Sequence, residues 1–226
     1  MYLNYLDRGE GDVLIMLHGN GEDNLYFRSQ IDYFSRTRRV IAVDTRGHGL
    51  SERGTEPFTI RQFAKDLFNL VYRNKFEKPD ILGFSDGANI AMIYALEHPD
   101  RTGRLVLNGG NLNPRGVKLK YQIPITLTYL ASSLASPVSR KAKKRAELMR
   151  LMVKDPMIDP DDLRRITAPT LVLAGTDDMI KEPHTRLIAG SIPGSRLEII
   201  PGSHFVAQEN PDEYNRIIEE FLSNNQ

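Results

Sequence analysis

Gly83-Phe84-Ser85-Asp86-Gly87 follows the apolar pair Ile81-Leu82 and leads into Ala88-Asn89-Ile90-Ala91-Met92, a run that opens as a helix. Strand, G-x-S-x-G, helix is the setting in which a tight turn lifts a serine hydroxyl clear of a sheet. Glycines two residues on either side remove the side chains that would collide in that turn. Ser85 is therefore the first candidate nucleophile, and the case for it depends on finding its partners elsewhere in the chain.

Outward from this pentapeptide, short apolar runs at 13–17, 39–43, 79–84, 104–107, 170–174 and 197–200 read as strands. Most are continuous rather than alternating, as parallel strands covered on both faces require. Amphipathic stretches around 25–35, 60–74, 86–97, 184–189 and 212–223 predict the helices between them. In the last, Tyr214, Ile217, Ile218, Phe221 and Leu222 fall at helical spacing. Residues 2–7 predict an antiparallel edge strand or hairpin. Strand then helix, repeated, is the pattern of an α/β fold with a mainly parallel sheet.

One segment breaks the rhythm. Residues 111–165 show no sheet strand, carry prolines at 114, 124, 137, 156 and 160, and include Arg140, Lys141, Lys143, Lys144, Arg145 and Arg150. The spacing of Ala142, Ala146, Met149 and Leu151-Met152 predicts at least one amphipathic helix. We read the segment as an insertion over the carboxyl end of the sheet, where pockets form in open α/β folds. The basic run 140–150 reads first as a solvated helix face, with an anionic substrate or partner as the alternative.

With 226 residues, the chain has enough length for one sizeable core, so a single domain over 1–226 is expected. A net charge of +1 gives no reason to expect nucleic acid or an anionic membrane as a partner. The absence of cysteine excludes disulfides, thiolate catalysis and cysteine-ligated metals. No leader-like amino terminus or membrane-length apolar run is visible, so a cytoplasmic enzyme is the expectation. Nothing in the sequence calls for a metal or an organic cofactor, and it sets no oligomeric state.

A serine nucleophile needs a base, and the base needs a group that fixes its tautomer. There are five histidines. His98 lies at the end of the helix after Ser85, where it fits a cap. His184 follows Glu182-Pro183 at a helix start and is expected to be exposed. His204 sits in Pro201-Gly202-Ser203-His204-Phe205, between the last strand and the last helix, on the sheet edge from which Ser85 emerges. His204 is the candidate base. For the acid, Gly175-Thr176-Asp177-Asp178-Met179 leaves the preceding strand at that same edge, and one of its two aspartates can orient the imidazole. The order Ser85, aspartate, His204 suits this fold. The Asp86 amide, at a helix start, supplies one oxyanion donor. The loop His18-Gly19-Asn20-Gly21-Glu22 supplies the second through Asn20, with His18 shaping that loop.

Together these elements resemble the α/β-hydrolase superfamily over essentially the whole chain. His18-Gly19-Asn20-Gly21 is similar to its H-G-x-G oxyanion loop. Asp44-Thr45-Arg46-Gly47-His48-Gly49-Leu50-Ser51 resembles its D-x-R-G-x-G-x-S loop, which is mainly structural, so Arg46 and His48 are assigned no chemistry. The family's acid ends a G-x-x-D motif, which selects Asp178 over Asp177, and its histidine stands in G-x-H, here Gly202-Ser203-His204. The resemblance implies an eight-stranded, mostly parallel sheet flanked by helices. It also implies a small helical cap, 111–165, inserted after the sixth strand. Serine at the elbow, rather than aspartate, argues against the epoxide-hydrolase and haloalkane-dehalogenase branches.

The expected activity is cleavage of a small-molecule ester, carboxylesterase-like, through an acyl-enzyme on Ser85 with His204 and Asp178. A C–C bond hydrolase of the meta-cleavage type would use the same three residues, as would cofactor-free peracid formation. A slow-turnover ligand receptor is the reading from outside enzymes. Asp86 is the unusual residue. As a first-turn aspartate it suits the helix dipole; as a substrate-binding group it would attract an ammonium. The similar G-x-S-D-G elbow of valacyclovir-hydrolase-like esterases does so with amino-acid esters.

Overall fold

The computed structural model describes residues 1–223. Seven strands form one sheet in the order β1-β3-β2-β4-β5-β6-β7. They are β1 (Tyr5–Arg8), β2 (Val13–Leu17), β3 (Arg39–Val43), β4 (Asp80–Phe84), β5 (Leu105–Asn108), β6 (Thr170–Asp177) and β7 (Arg196–Ser203). All neighbours are parallel except β1, which runs antiparallel to β3 from Tyr5↔Val43 to Arg8↔Val40. The expected eight strands are thus seven among the described residues. Residues 1–4 do not add a strand because Asn4 is tied to the loop beyond β3. Its N–H donates to Ser51 Oγ at 2.7 Å, and its Nδ2 donates to Asp44 Oδ2 at 2.7 Å. With one strand fewer at the start, the insertion follows the fifth strand and not the sixth.

Side-chain parity along the parallel strands sets the two layers. Ile15, Leu17, Ile41, Val43, Ile81, Leu105 and Leu107 face a core shared with α2 (Ile60–Arg73), α3 (Asp86–Glu97) and α6 (Glu182–Ser191). Leu14, Met16, Val40, Ala42, Leu82, Phe84 and Val106 face the opposite core, closed by α1 (Arg28–Phe34) and α8 (Pro211–Ser223). Both faces being covered explains why the strands read as unbroken apolar runs. In α2, Thr59 caps the start by accepting from the Gln62 N–H at 3.2 Å. Its buried Ile60, Phe63, Ala64, Leu67, Leu70 and Val71 make one stripe at helical spacing.

Between β5 and β6 the chain forms a helical hairpin, α4 (Leu119–Ala135) and α5 (Arg140–Lys154). The periodicity of α5 is legible in the sequence. The α4 helix is not, because Pro124 lies inside it. A proline has no N–H to give the Lys120 carbonyl, so in a sequence it reads as a helix break. α5 also anchors to the body: Leu151 is fully buried, and Arg53 Nη2 meets Glu147 Oε1 at 2.8 Å. The remaining helix, α7 (Val206–Glu209), is a single turn after β7.

The sheet order reverses at β2, which lies between β3 and β4. In open α/β sheets the crevice at such a reversal, outside the carboxyl ends of the strands, is where ligands bind.

Candidate active site

Two strand pairs end at this edge and each releases candidates one residue later. Phe84 on β4 pairs with Asn108 on β5, and Ser85 follows, its N–H donating to the Asn108 carbonyl at 2.8 Å. The Ser85 backbone has φ 53° and ψ −116°, a region that costs a non-glycine residue about 1–3 kcal/mol. The turn is held by close approach. A Cβ on Gly87 would stand 1.9 Å from the Leu17 carbonyl oxygen, so α3 starts against β2 only because that side chain is missing.

On the other side, β6 and β7 pair past an irregularity as far as Asp177↔Ser203. The strands therefore run beyond the expected 170–174 and 197–200, and the next residues are Asp178 and His204. His204 Nδ1 lies 2.7 Å from Asp178 Oδ1, and its Nε2 lies 3.1 Å from Ser85 Oγ. A carboxylate only accepts, so Nδ1 carries the proton and Nε2 is left to accept from the serine hydroxyl. Asp178 and His204 are both buried. Asp178 Oδ1 also accepts from the Ile180 N–H at 2.8 Å, which fixes the carboxylate. Asp177 turns outward, its side chain 73% exposed and 3.4 Å from Lys118 Nζ. The two adjacent aspartates are thus separated by the strand end, and Asp178 holds the imidazole. Phe84 backs the ring at 4.8 Å and stacks on Tyr26.

Neither the Asn20 N–H nor the Asp86 N–H has a protein acceptor among the described residues. Asn20 brings more than its amide. Its Nδ2 donates to Asp86 Oδ2 at 2.9 Å and to the Leu148 carbonyl of α5 at 3.0 Å. The 18–22 loop, the elbow and the cap hairpin therefore meet on one side chain. The loop is closed from within, the Gly19 N–H donating to Glu22 Oε2 at 3.0 Å. His18 donates from Nδ1 to the Gly19 carbonyl at 2.7 Å and accepts at Nε2 from the Thr45 N–H at 3.0 Å. Both ring nitrogens are engaged in shaping the loop, and burial keeps the ring neutral by lowering its pKa. Burial pushes the Asp86 carboxyl up to about 6, against the Asn20 hydrogen bond and with the help of nearby Asp155. Burial likewise pushes Glu22 up to about 7.

The arrangement offers a hydroxyl, a base in the right tautomer and two amides on one sheet edge. The profile of the alpha/beta hydrolase fold matches residues 12–126, half of the chain. The chain belongs to the α/β-hydrolase family. It is 28% identical over 242 residues to the human serine hydrolase BPHL, covering 97% of this chain and 82% of that one. It is 27% identical over 267 residues to a 2-hydroxy-6-oxononadienedioate/2-hydroxy-6-oxononatrienedioate hydrolase of Pseudomonas putida, covering 98% and 92%. Among solved structures, a hydrolase from Pseudomonas aeruginosa superposes with a TM-score of 0.79 at 25% identity, covering 98% of this chain and 94% of that one.

Three parts of this α/β hydrolase's site lie outside the sequence reading. Gly109 has φ +62°, and a Cβ there would fall 2.7 Å from His204 Cε1. Its signal is the pair Gly109-Gly110 directly after a strand. Glu22 belongs to the quoted loop, yet nothing in the sequence marks it as half-buried. The Leu148 carbonyl is backbone, invisible to residue type. His184, expected to be exposed, is half-buried because its Nε2 accepts from the Leu112 N–H at 2.9 Å, joining α6 to the cap's first residues. His98 takes the C-cap position of α3 and stacks on Phe68 at 4.1 Å.

Proposed function

We propose that this α/β hydrolase is a serine hydrolase that cleaves a small ester through an acyl-enzyme on Ser85. The observation that carries the proposal is the imidazole of His204, set between Asp178 Oδ1 at 2.7 Å and Ser85 Oγ at 3.1 Å. In the reaction, His204 takes the Ser85 proton as Oγ attacks the ester carbonyl. The Asn20 and Asp86 amides receive the developing oxyanion, and Asp178 stabilises the imidazolium. The imidazolium then returns its proton to the departing alcohol. Water, deprotonated by the same His204, releases the acid from the acyl-enzyme.

Within esters, Asp86 favours an acyl group bearing an α-ammonium. The side chain is buried beside the elbow, and Asp155 adds negative charge nearby. A cation there recovers the Coulomb energy that the desolvated carboxylate lacks, whereas a carboxylate substrate meets repulsion. The same acidic surroundings argue against a dianionic C–C cleavage substrate, the runner-up for this site.

The test is labelling with a fluorophosphonate, with the adduct located by mass spectrometry. Stoichiometric modification of Ser85, lost in Ser85→Ala and His204→Ala, is expected. Folded protein that stays unlabelled would instead favour a ligand receptor on this fold. Esters with and without an α-amino group then test Asp86. A preference for the amine that disappears in Asp86→Asn is expected, and equal rates for both esters in the wild type would remove that role.

A further inference from the structure

The cap hairpin has a chemical character unlike the rest of the molecule. On α4, Leu119, Ile123, Leu127, Leu130 and Leu134 recur every three or four residues and make one stripe along the helix. Each is between 52% and 85% exposed, and Val138, in the turn to α5, is 90% exposed. A run of this length left in water marks a surface that another phase or molecule covers. α4 also packs on α5.

Charge says what covers it. Residues 111–146 contain no aspartate or glutamate, in a chain whose acids and bases nearly cancel overall. Lys120, Arg140, Lys141, Lys143, Lys144 and Arg145 are all exposed there. The first acid after them, Glu147, is taken up by Arg53. The most exposed apolar residues, Leu134 and Val138, stand at the hairpin tip, immediately before the densest cations at 140–145.

We propose that the α4–α5 hairpin docks on an anionic lipid surface. The Leu130, Leu134 and Val138 end enters the boundary between headgroups and acyl chains, and the cations at 140–145 lie over the lipid phosphates. An exposed apolar helix face joined to a polybasic helix is the combination that such a surface binds. A second copy of the chain would bring two like-charged hairpins together. A nucleic acid would use the cations and leave the leucines without a role. No helix among the described residues is long and apolar enough to cross a membrane, so the contact is an interfacial one. The chain-wide charge of +1 hides it, because the cations are gathered on one element.

The experiment is flotation of the full chain with phosphatidylcholine vesicles and with vesicles containing roughly one-third phosphatidylserine. Binding to the serine-lipid vesicles is expected, at least about tenfold weaker on phosphatidylcholine and falling with salt. Leu134→Glu with Val138→Glu, and separately Lys141→Glu with Lys143→Glu, should each weaken it by about tenfold or more. All four sites are exposed, so both variants should melt at the wild-type temperature, which separates lost docking from lost folding. Absence of flotation on either vesicle overturns the proposal. So does binding that survives Leu134→Glu with Val138→Glu, which would mean charge alone. Sedimentation supplies the remaining arm: a dimer broken by the same pair of substitutions, without lipid binding, would make this face a contact between copies.

Discussion

Gly109 holds its backbone at φ +62° directly beneath the His204 ring, where a Cβ would stand 2.7 Å from Cε1 and 2.9 Å from Nδ1. The glycine therefore sets the room in which the imidazole meets both Asp178 and Ser85. Gly109→Ala should leave the fold intact at a cost of about 1–2 kcal/mol for the left-handed backbone. It should push the ring off the Ser85 hydroxyl. A displacement approaching 1 Å costs on the order of 100-fold in turnover. Ester hydrolysis and fluorophosphonate labelling rate, measured beside the melting temperature, check this; full activity in the alanine variant would show that the ring has space to spare.

Ser85 poses the opposite case, a side chain kept at a backbone angle that suits glycine. Ser85→Gly should abolish labelling and yet stabilise the protein. Relief of about 1–3 kcal/mol of strain outweighs the roughly 0.5–1 kcal/mol of extra chain freedom that glycine brings to the unfolded state. A net gain of about 1 kcal/mol corresponds to a melting temperature roughly 2–4 °C higher for a domain of this size. Ser85→Ala retains the positive φ and should show no such gain. Equal melting temperatures for the two variants would locate no strain at the elbow.

Arg46 and Asp66 form a buried, two-pronged pair, Nε to Oδ2 at 2.6 Å and Nη2 to Oδ1 at 2.7 Å, which pins the 44–51 loop to α2. Arg46→Met strands a carboxylate in the interior and should cost about 3–5 kcal/mol. Arg46→Met with Asp66→Leu should recover most of that loss, since no lone charge remains. Urea unfolding of the two single variants and the double variant gives the cycle. A double variant as unstable as Arg46→Met would mean that Arg46 acts instead through its bond to the Arg53 carbonyl.

How legible these features were depends on what carries them. Strand runs such as 13–17 and 39–43 were readable because burial on both faces leaves no room for polar residues. Ser85, Asp178 and His204 were readable as candidates because each follows a strand and so carries a position as well as a residue type. The choice between Asp177 and Asp178 needed the family resemblance. The physical reason is the pairing Asp177↔Ser203, which carries the strand three residues further than its apolar run. The α4 helix was hidden by Pro124, and the expected eighth strand is not formed among the described residues. Leu148 and Gly109 act through a carbonyl and through a missing Cβ, neither of which a residue type announces.

Asp86 gives the pH dependence a sign. Its carboxyl moves from 3.8 up to about 6 because burial beside the elbow disfavours the charge. A pKa raised by folding means that the folded chain holds this proton more tightly than the unfolded one. The associated stability is therefore complete below about pH 4 and is lost as pH rises through about 6. Asp86→Asn does not titrate and can still accept from Asn20 Nδ2. The variant should match the wild type near pH 4 and exceed it by on the order of 2–3 kcal/mol at pH 8. That is a melting difference of several degrees which opens between those values. Calorimetric melts of both proteins at pH 4, 6 and 8 read it directly. A difference that stays constant across the series would mean that Asp86 keeps an ordinary carboxyl pKa, and the electrostatic argument for an ammonium partner would go with it. If the difference does open, an amino-ester substrate analogue should narrow it at pH 8, because its cation supplies the partner that the buried carboxylate lacks.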